Sequence, residues 1–196
     1  QSLSSQRQWV NATILADGKV LATGGAQNDT TQGDNPVAPN NKAEVWNPTT
    51  GQWMQGPTAA RDRLYHSNAV LLPDASVLIA GSGALQPQGQ WPYQLNAEIY
   101  YPPYFFAAGG QRAPRPIIAS APGWVDIGTV IPVSVANASS VSRVTLVKTS
   151  ATTHSFNMDQ RFLDLTFTAN GLNLSVQAPA RAADATPGYY LLFVFN

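Results

Sequence analysis

Apolar and polar positions in this chain alternate in short runs broken by Gly, Pro, Asn and Asp, and no segment sustains a helical period. The pattern predicts an all-β protein. Over the second half, strands are expected at 129–136, 143–148, 160–168, 173–178 and 189–195, a spacing typical of a β-sandwich. Leu163, Leu165 and Phe167 alternate with polar or smaller neighbours, as in a half-buried strand. The run 189–195 is apolar on both faces and predicts a central strand. Ala169-Asn170-Gly171 reads as the turn of a hairpin.

The first hundred residues contain one unit twice. Asn11 to Gly25 and Asn68 to Ser82 each read as a β-rich run, a tight turn and a second β-rich run ending in small residues. The turns fall at Asp17-Gly18 and Asp74-Ala75, and Ala75 stands where glycine is expected, which leaves the second turn open to a different form. Each copy continues through a polar connection into Ala43-Glu44-Val45-Trp46 or Ala97-Glu98-Ile99-Tyr100. The aligned aspartates are 57 residues apart and the aligned glutamates 54 apart. A four-stranded unit recurring at that period is the pattern of a kelch-type propeller blade. Two blades cannot close a ring that uses about four to eight. The expected organisation is therefore 1–107 as the C-terminal blades of a partial kelch-type β-propeller, 108–114 as linker, and 115–196 as an immunoglobulin-like β-sandwich. The missing blades are expected before Gln1 or from a second chain.

Composition narrows the function. A hydrophobic content of 44% supports a core, while charged residues make up only 11% of the 196 residues. Net charge is zero, so no basic field exists to attract nucleic acid. No cysteine is present, which removes disulfides and thiolate chemistry from this chain. Its longest apolar runs are too short for a membrane span. It opens on Gln1 without a signal-peptide pattern, so cleavage or a longer parent is expected. Asn11, Asn28, Asn137 and Asn173 each begin an N-glycosylation acceptor pattern, in keeping with a secreted protein.

Candidate chemistry concentrates in Arg63-Leu64-Tyr65-His66-Ser67 and in Thr153-His154-Ser155-Phe156-Asn157-Met158-Asp159-Gln160-Arg161. His66 and His154 are the only histidines, each in a strand-like stretch. With Tyr65 they make three donors suited to a transition metal. Neighbours on a regular strand face opposite ways, so Tyr65 and His66 can share an ion only where the backbone is irregular. The plain alternative is two hydrogen-bonded histidines and a core tyrosine. Arg161 is expected either to orient the His154 loop through carbonyl contacts or to form a surface ion pair. Among Trp9, Trp46, Trp53, Trp91 and Trp124, the second and third fall at core positions, and Trp91 is the candidate for the substrate side.

The order of these motifs, with Ala-Glu-Ile-Tyr-Tyr-Pro-Pro-Tyr between them and Pro-Gly-Tyr-Tyr-Leu-Leu-Phe-Val at the close, resembles the C-terminal third of the galactose oxidase and glyoxal oxidase family of copper radical oxidases. The resemblance implies a seven-bladed propeller with one copper ion near its axis. It implies Tyr65 as axial ligand and catalytic base, and His66 and His154 as metal ligands. The family's radical tyrosine, cross-linked to a cysteine, would come from residues outside this chain. Implied partners are O2 and a small alcohol, aldehyde or sugar, with H2O2 as product. A non-catalytic extracellular module for carbohydrate binding, adhesion or assembly is the rival reading, and a metal binder without turnover is a third.

Overall fold

The computed structural model describes residues 2–27, 38–83 and 93–196. The chain divides into two compact units, Gln1–Pro102 with Ser150–Gln160, and Pro103–Thr149 with Arg161–Asn196. Trp91 and the acceptor pattern at Asn28 lie outside the described residues.

Unit 1 is built from two antiparallel meanders. Strands β1 (Asn11–Ile14), β2 (Val20–Thr23), β3 (Lys42–Asn47) and β4 (Gln52–Thr58) form one sheet in that order. Strands β5 (Asn68–Leu71), β6 (Val77–Ala80) and β7 (Ala97–Tyr100) form the other. The duplicated sequence thus yields duplicated hairpins, and their turns are alike. Gly18 N–H donates to Leu15 O at 3.0 Å and Leu15 N–H to Lys19 O at 2.8 Å. Ala75 N–H donates to Leu72 O at 2.9 Å and Leu72 N–H to Ser76 O at 2.8 Å. Gly18 has φ of 81° and Ala75 φ of 69°, so the alanine accepts the same left-handed position despite its Cβ.

Each meander also locks its third strand to an arginine ahead of its first. Arg7 pairs with Glu44 on β3 through a charge-assisted bond, both side chains being essentially inaccessible. Arg63, 1% exposed, places Nη2 2.8 Å from Glu98 Oε2 on β7 and 2.7 Å from Asn96 Oδ1. Its Nη1 donates to the carbonyls of Gly81 at 2.9 Å and Asn96 at 3.1 Å. A guanidinium supplied with acceptors on each nitrogen is the form in which such a charge can be buried. Trp46 and Trp53 face each other across β3 and β4 with ring centres 6.5 Å apart, a half-buried cross-strand pair.

Unit 2 is a two-sheet sandwich. One sheet has the order β13-β10-β16, from Phe162–Leu165, Arg143–Lys148 and Tyr190–Phe195. The other has the order β14-β15-β9-β8, from Phe167–Asn170, Asn173–Gln177, Val130–Val135 and Ile118–Ser120. Ile131, Val133, Val135, Val144, Leu174 and Val176 fill the space between them. Two expectations are corrected. The run 160–168 is two strands, not one: β13 pairs with β10, and after Thr166 β14 pairs with β15. Leu163, Leu165 and Phe167 all contact the same core, so apolar alternation continues through the change of sheet and hides it. The central strand is β10, and among the described residues β16 pairs only with β10. It is apolar on both faces because Leu192 and Val194 meet the core while Phe195 meets Tyr104, ring centres 5.8 Å apart.

The remaining strands, β11 (Thr152–Thr153) and β12 (Phe156–Asn157), pair as a small hairpin belonging to unit 1. No helix among the described residues is long and apolar enough to cross a membrane.

Candidate metal centre

Both histidines sit in tight turns, where strand-like stretches were expected. Ser67 N–H donates to Leu64 O at 3.0 Å, making Tyr65 and His66 the central pair of a β-turn, with His66 at φ of 64°. This bend lets adjacent side chains converge, which a pleated strand forbids. The second turn joins β11 and β12. Thr153 and Phe156 pair across a two-residue loop in which His154 has φ of 53° and Ser155 φ of 61°. Two left-handed residues suit a hairpin whose usual sequence is Asn-Gly. Holding non-glycine residues there costs roughly 1–3 kcal/mol each.

The three predicted side chains come together. Ring centres lie 4.0 Å apart for Tyr65 and His66, 4.6 Å for His66 and His154, and 5.6 Å for Tyr65 and His154. Two imidazoles with nitrogens about 2 Å from one ion, at neighbouring positions, have ring centres roughly 4.5 Å apart. The histidine spacing therefore fits a shared ion. Hydrogen bonds point the same way. His66 Nδ1 lies 2.7 Å from Gly83 O, a group that only accepts, so Nδ1 carries the proton and the Nε2 lone pair is free. His154 Nδ1 is engaged by Thr153 Oγ1 at 2.5 Å, a hydroxyl that can donate or accept; in the tautomer with the proton on Nδ1, the Nε2 lone pair is the one left for a metal. A ligating histidine held through its second nitrogen is the usual arrangement at metal sites. Among the described residues no group of three or more His, Cys, Asp or Glu could hold a metal, and the oxygen-bearing ring nearest the two imidazoles is the Tyr65 phenol.

Two residues to which the sequence assigned no role as ligands shape this centre. Gln160 Oε1 accepts from Ile14 N–H at 2.8 Å and its Nε2 donates to Ala12 O at 2.9 Å. That amide pairs with β1 as another strand would, and anchors the His154 segment. Arg161 does not do so: its Nη1 binds the carbonyls of Ala183 at 2.7 Å and Asp184 at 3.0 Å. Trp9 lies edge-on to Tyr65 with centres 4.5 Å apart, and its buried indole N–H has no partner among the described residues. Trp9 precedes β1 at φ of 58°, the place His66 takes before β5, so the repeat carries one left-handed position filled by two different rings. The 57-residue spacing of the aspartates links these positions, but only once their backbone is known. A recess of about 230 Å³ lined by Thr23, Asn41, Arg61 and Glu98 lies apart from Tyr65, His66 and His154.

Comparison with known proteins identifies the lineage. Residues 115–196 match the family described as galactose oxidase-like, Early set domain. Galactose oxidase of Gibberella zeae is 32% identical over 192 residues, covering 97% of this chain and 27% of that protein. Aldehyde oxidase GLOX1 of Arabidopsis thaliana is 30% identical over 214 residues, covering 100% of this chain and 35% of its own length. A solved structure of a fungal alcohol oxidase of the AA5 family, in complex with copper, aligns at a TM-score of 0.90 and 31% identity, over 100% of this chain and 41% of that one. The fold and these relatives define the class as all-β and galactose oxidase-like. The chain belongs to the galactose oxidase and glyoxal oxidase family. It spans about a quarter to a third of the length of these curated relatives.

Proposed function

We propose that this chain supplies part of the copper site of a secreted oxidase acting with O2 on primary alcohols, aldehydes or carbohydrates. A primary alcohol and O2 would give an aldehyde and H2O2, which balances. The observation that carries the reading is the convergence of Tyr65, His66 and His154, with both imidazoles held through Nδ1. The duplicated meanders of unit 1 support reading them as kelch-type blades, within a propeller completed by residues outside this chain or by a second chain. On that reading residues 1–107 are blades, 108–114 linker and 115–196 the immunoglobulin-like domain.

His66 Nε2, His154 Nε2 and the Tyr65 hydroxyl oxygen would hold one copper ion. Copper bound there would provide Lewis acidity and accept one electron. With its own proton lost on binding the metal, Tyr65 would take the hydroxyl proton of the substrate onto its phenolate oxygen, as a general base. Trp9 packs edge-on against the Tyr65 ring, with ring centres 4.5 Å apart. The acceptor of the second electron, a cysteine-linked tyrosine by family resemblance, cannot come from these residues, which contain no cysteine.

The test is a peroxide assay on the copper-loaded protein joined to its completing blades, with glyoxal, galactose and simple primary alcohols. Turnover is expected with at least one class. Tyr65→Phe should lower kcat by about 10²–10⁴ while copper remains bound. Copper bound with no peroxide from any substrate would contradict the oxidase reading in favour of a non-catalytic module.

A further inference from the structure

Behind the two histidine turns runs a buried line of hydrogen bonds. Asn11 on β1, Ser67 next to His66 and Ser155 next to His154 are 4%, 0% and 4% exposed. Asn11 Nδ2 donates to Ser67 Oγ at 2.9 Å, the two serine oxygens lie 3.4 Å apart, and Ser155 Oγ donates to Leu64 O at 3.2 Å. The direction of the middle bond follows from its ends. An amide nitrogen only donates and a carbonyl only accepts, so the Ser155 proton goes to Leu64 and the Ser67 hydroxyl donates to Ser155. Ser155 N–H also donates to Ser67 O at 3.0 Å. Leu64 and Ser67 are the first and last residues of the turn presenting Tyr65 and His66. Both groups of Ser155 therefore bind the turn that carries the other histidine.

We propose that Asn11, Ser67 and Ser155 form a positioning clasp that fixes the spacing of the His66 and His154 rings before a metal arrives. The inference rests on reading those histidines as copper ligands. Apolar contacts would bury the same area without direction, whereas this relay fixes both distance and angle. Any break strands a buried donor or acceptor one residue from a candidate ligand.

Ser155→Gly separates positioning from folding, because glycine accepts φ of 61° without Cβ strain while deleting the hydroxyl. The thermal midpoint is expected to stay near that of the wild type. Cu(II) affinity should fall about 10-fold or more, the usual effect of losing a group that orients a ligand, with an altered Cu(II) EPR spectrum. In the metal-free protein the NOE between the two imidazole rings should weaken. Asn11→Ala should move each readout the same way by less. Unchanged affinity, EPR spectrum and ring NOE in both variants would overturn the clasp. If only the variants lose the NOE and no form binds copper, the clasp's hold on the rings stands and the ligand reading falls.

Discussion

His66, His154 and Ser155 are held in left-handed backbone that their side chains disfavour, and all three lie where the candidate ligands converge. Neither histidine nor serine advertises that conformation, so the motifs were legible as chemistry while the turns that aim them were not. Ala75 and Gly18 occupy the same kind of position away from the centre and allow the cost to be measured. Ala75→Gly should stabilise the protein by about 0.5 kcal/mol, the relief of Cβ strain outweighing the added freedom of the unfolded chain. Gly18→Ala should destabilise it by about 1 kcal/mol. Denaturant midpoints check both; a loss of stability in Ala75→Gly would contradict the left-handed assignment. Asn11 illustrates the reverse problem. Its acceptor pattern counted towards a secreted setting, yet Asn11 is 4% exposed and its side chain is bonded to Ser67.

At the scale of elements, the β11–β12 hairpin is too short to stand alone and depends on what it is tied to. Gln160 supplies one tie by bonding to β1. Gln160→Ala should cost about 1–2 kcal/mol through the unpaired Ile14 amide and Ala12 carbonyl. Hydrogen exchange at Ile14 should accelerate in that variant, and unchanged protection there would refute the anchor. The strands of unit 2 were readable from alternation because both sheets face a single core. Alternation records which side chains point inward and not which strand is the hydrogen-bonding neighbour. The change of sheet at Thr166 and the edge position of β16 escaped for that reason. The duplicated hairpins were visible because turn chemistry repeats with them, whereas the Arg7–Glu44 and Arg63–Glu98 pairs join residues too distant to be matched by spacing.

For the molecule as a whole, the Arg7–Glu44 pair ties stability to acid. Burial raises the Glu44 carboxyl, but the Ser4 N–H and the Arg7 guanidinium outweigh it and hold the group below its ordinary 4.5. A depressed carboxylate contributes its full stability above that ordinary value and loses it as pH falls through the folded-state value. Wild-type stability should therefore decline below pH 4.5, and Glu44→Gln should flatten that part of the profile. The same variant should lose about 3–5 kcal/mol at neutral pH, where it leaves Arg7 charged and buried without its partner. Urea unfolding from pH 3 to 7 reads both effects, and an equally steep acid limb in Glu44→Gln would assign the decline elsewhere.

The most direct test of the shared metal centre is EPR of the Cu(II)-loaded protein with 15N-labelled histidine. Superhyperfine coupling to two imidazole nitrogens is expected, with one lost in His66→Ala and the other in His154→Ala. Copper binding that survives both substitutions with an unchanged spectrum would contradict the account.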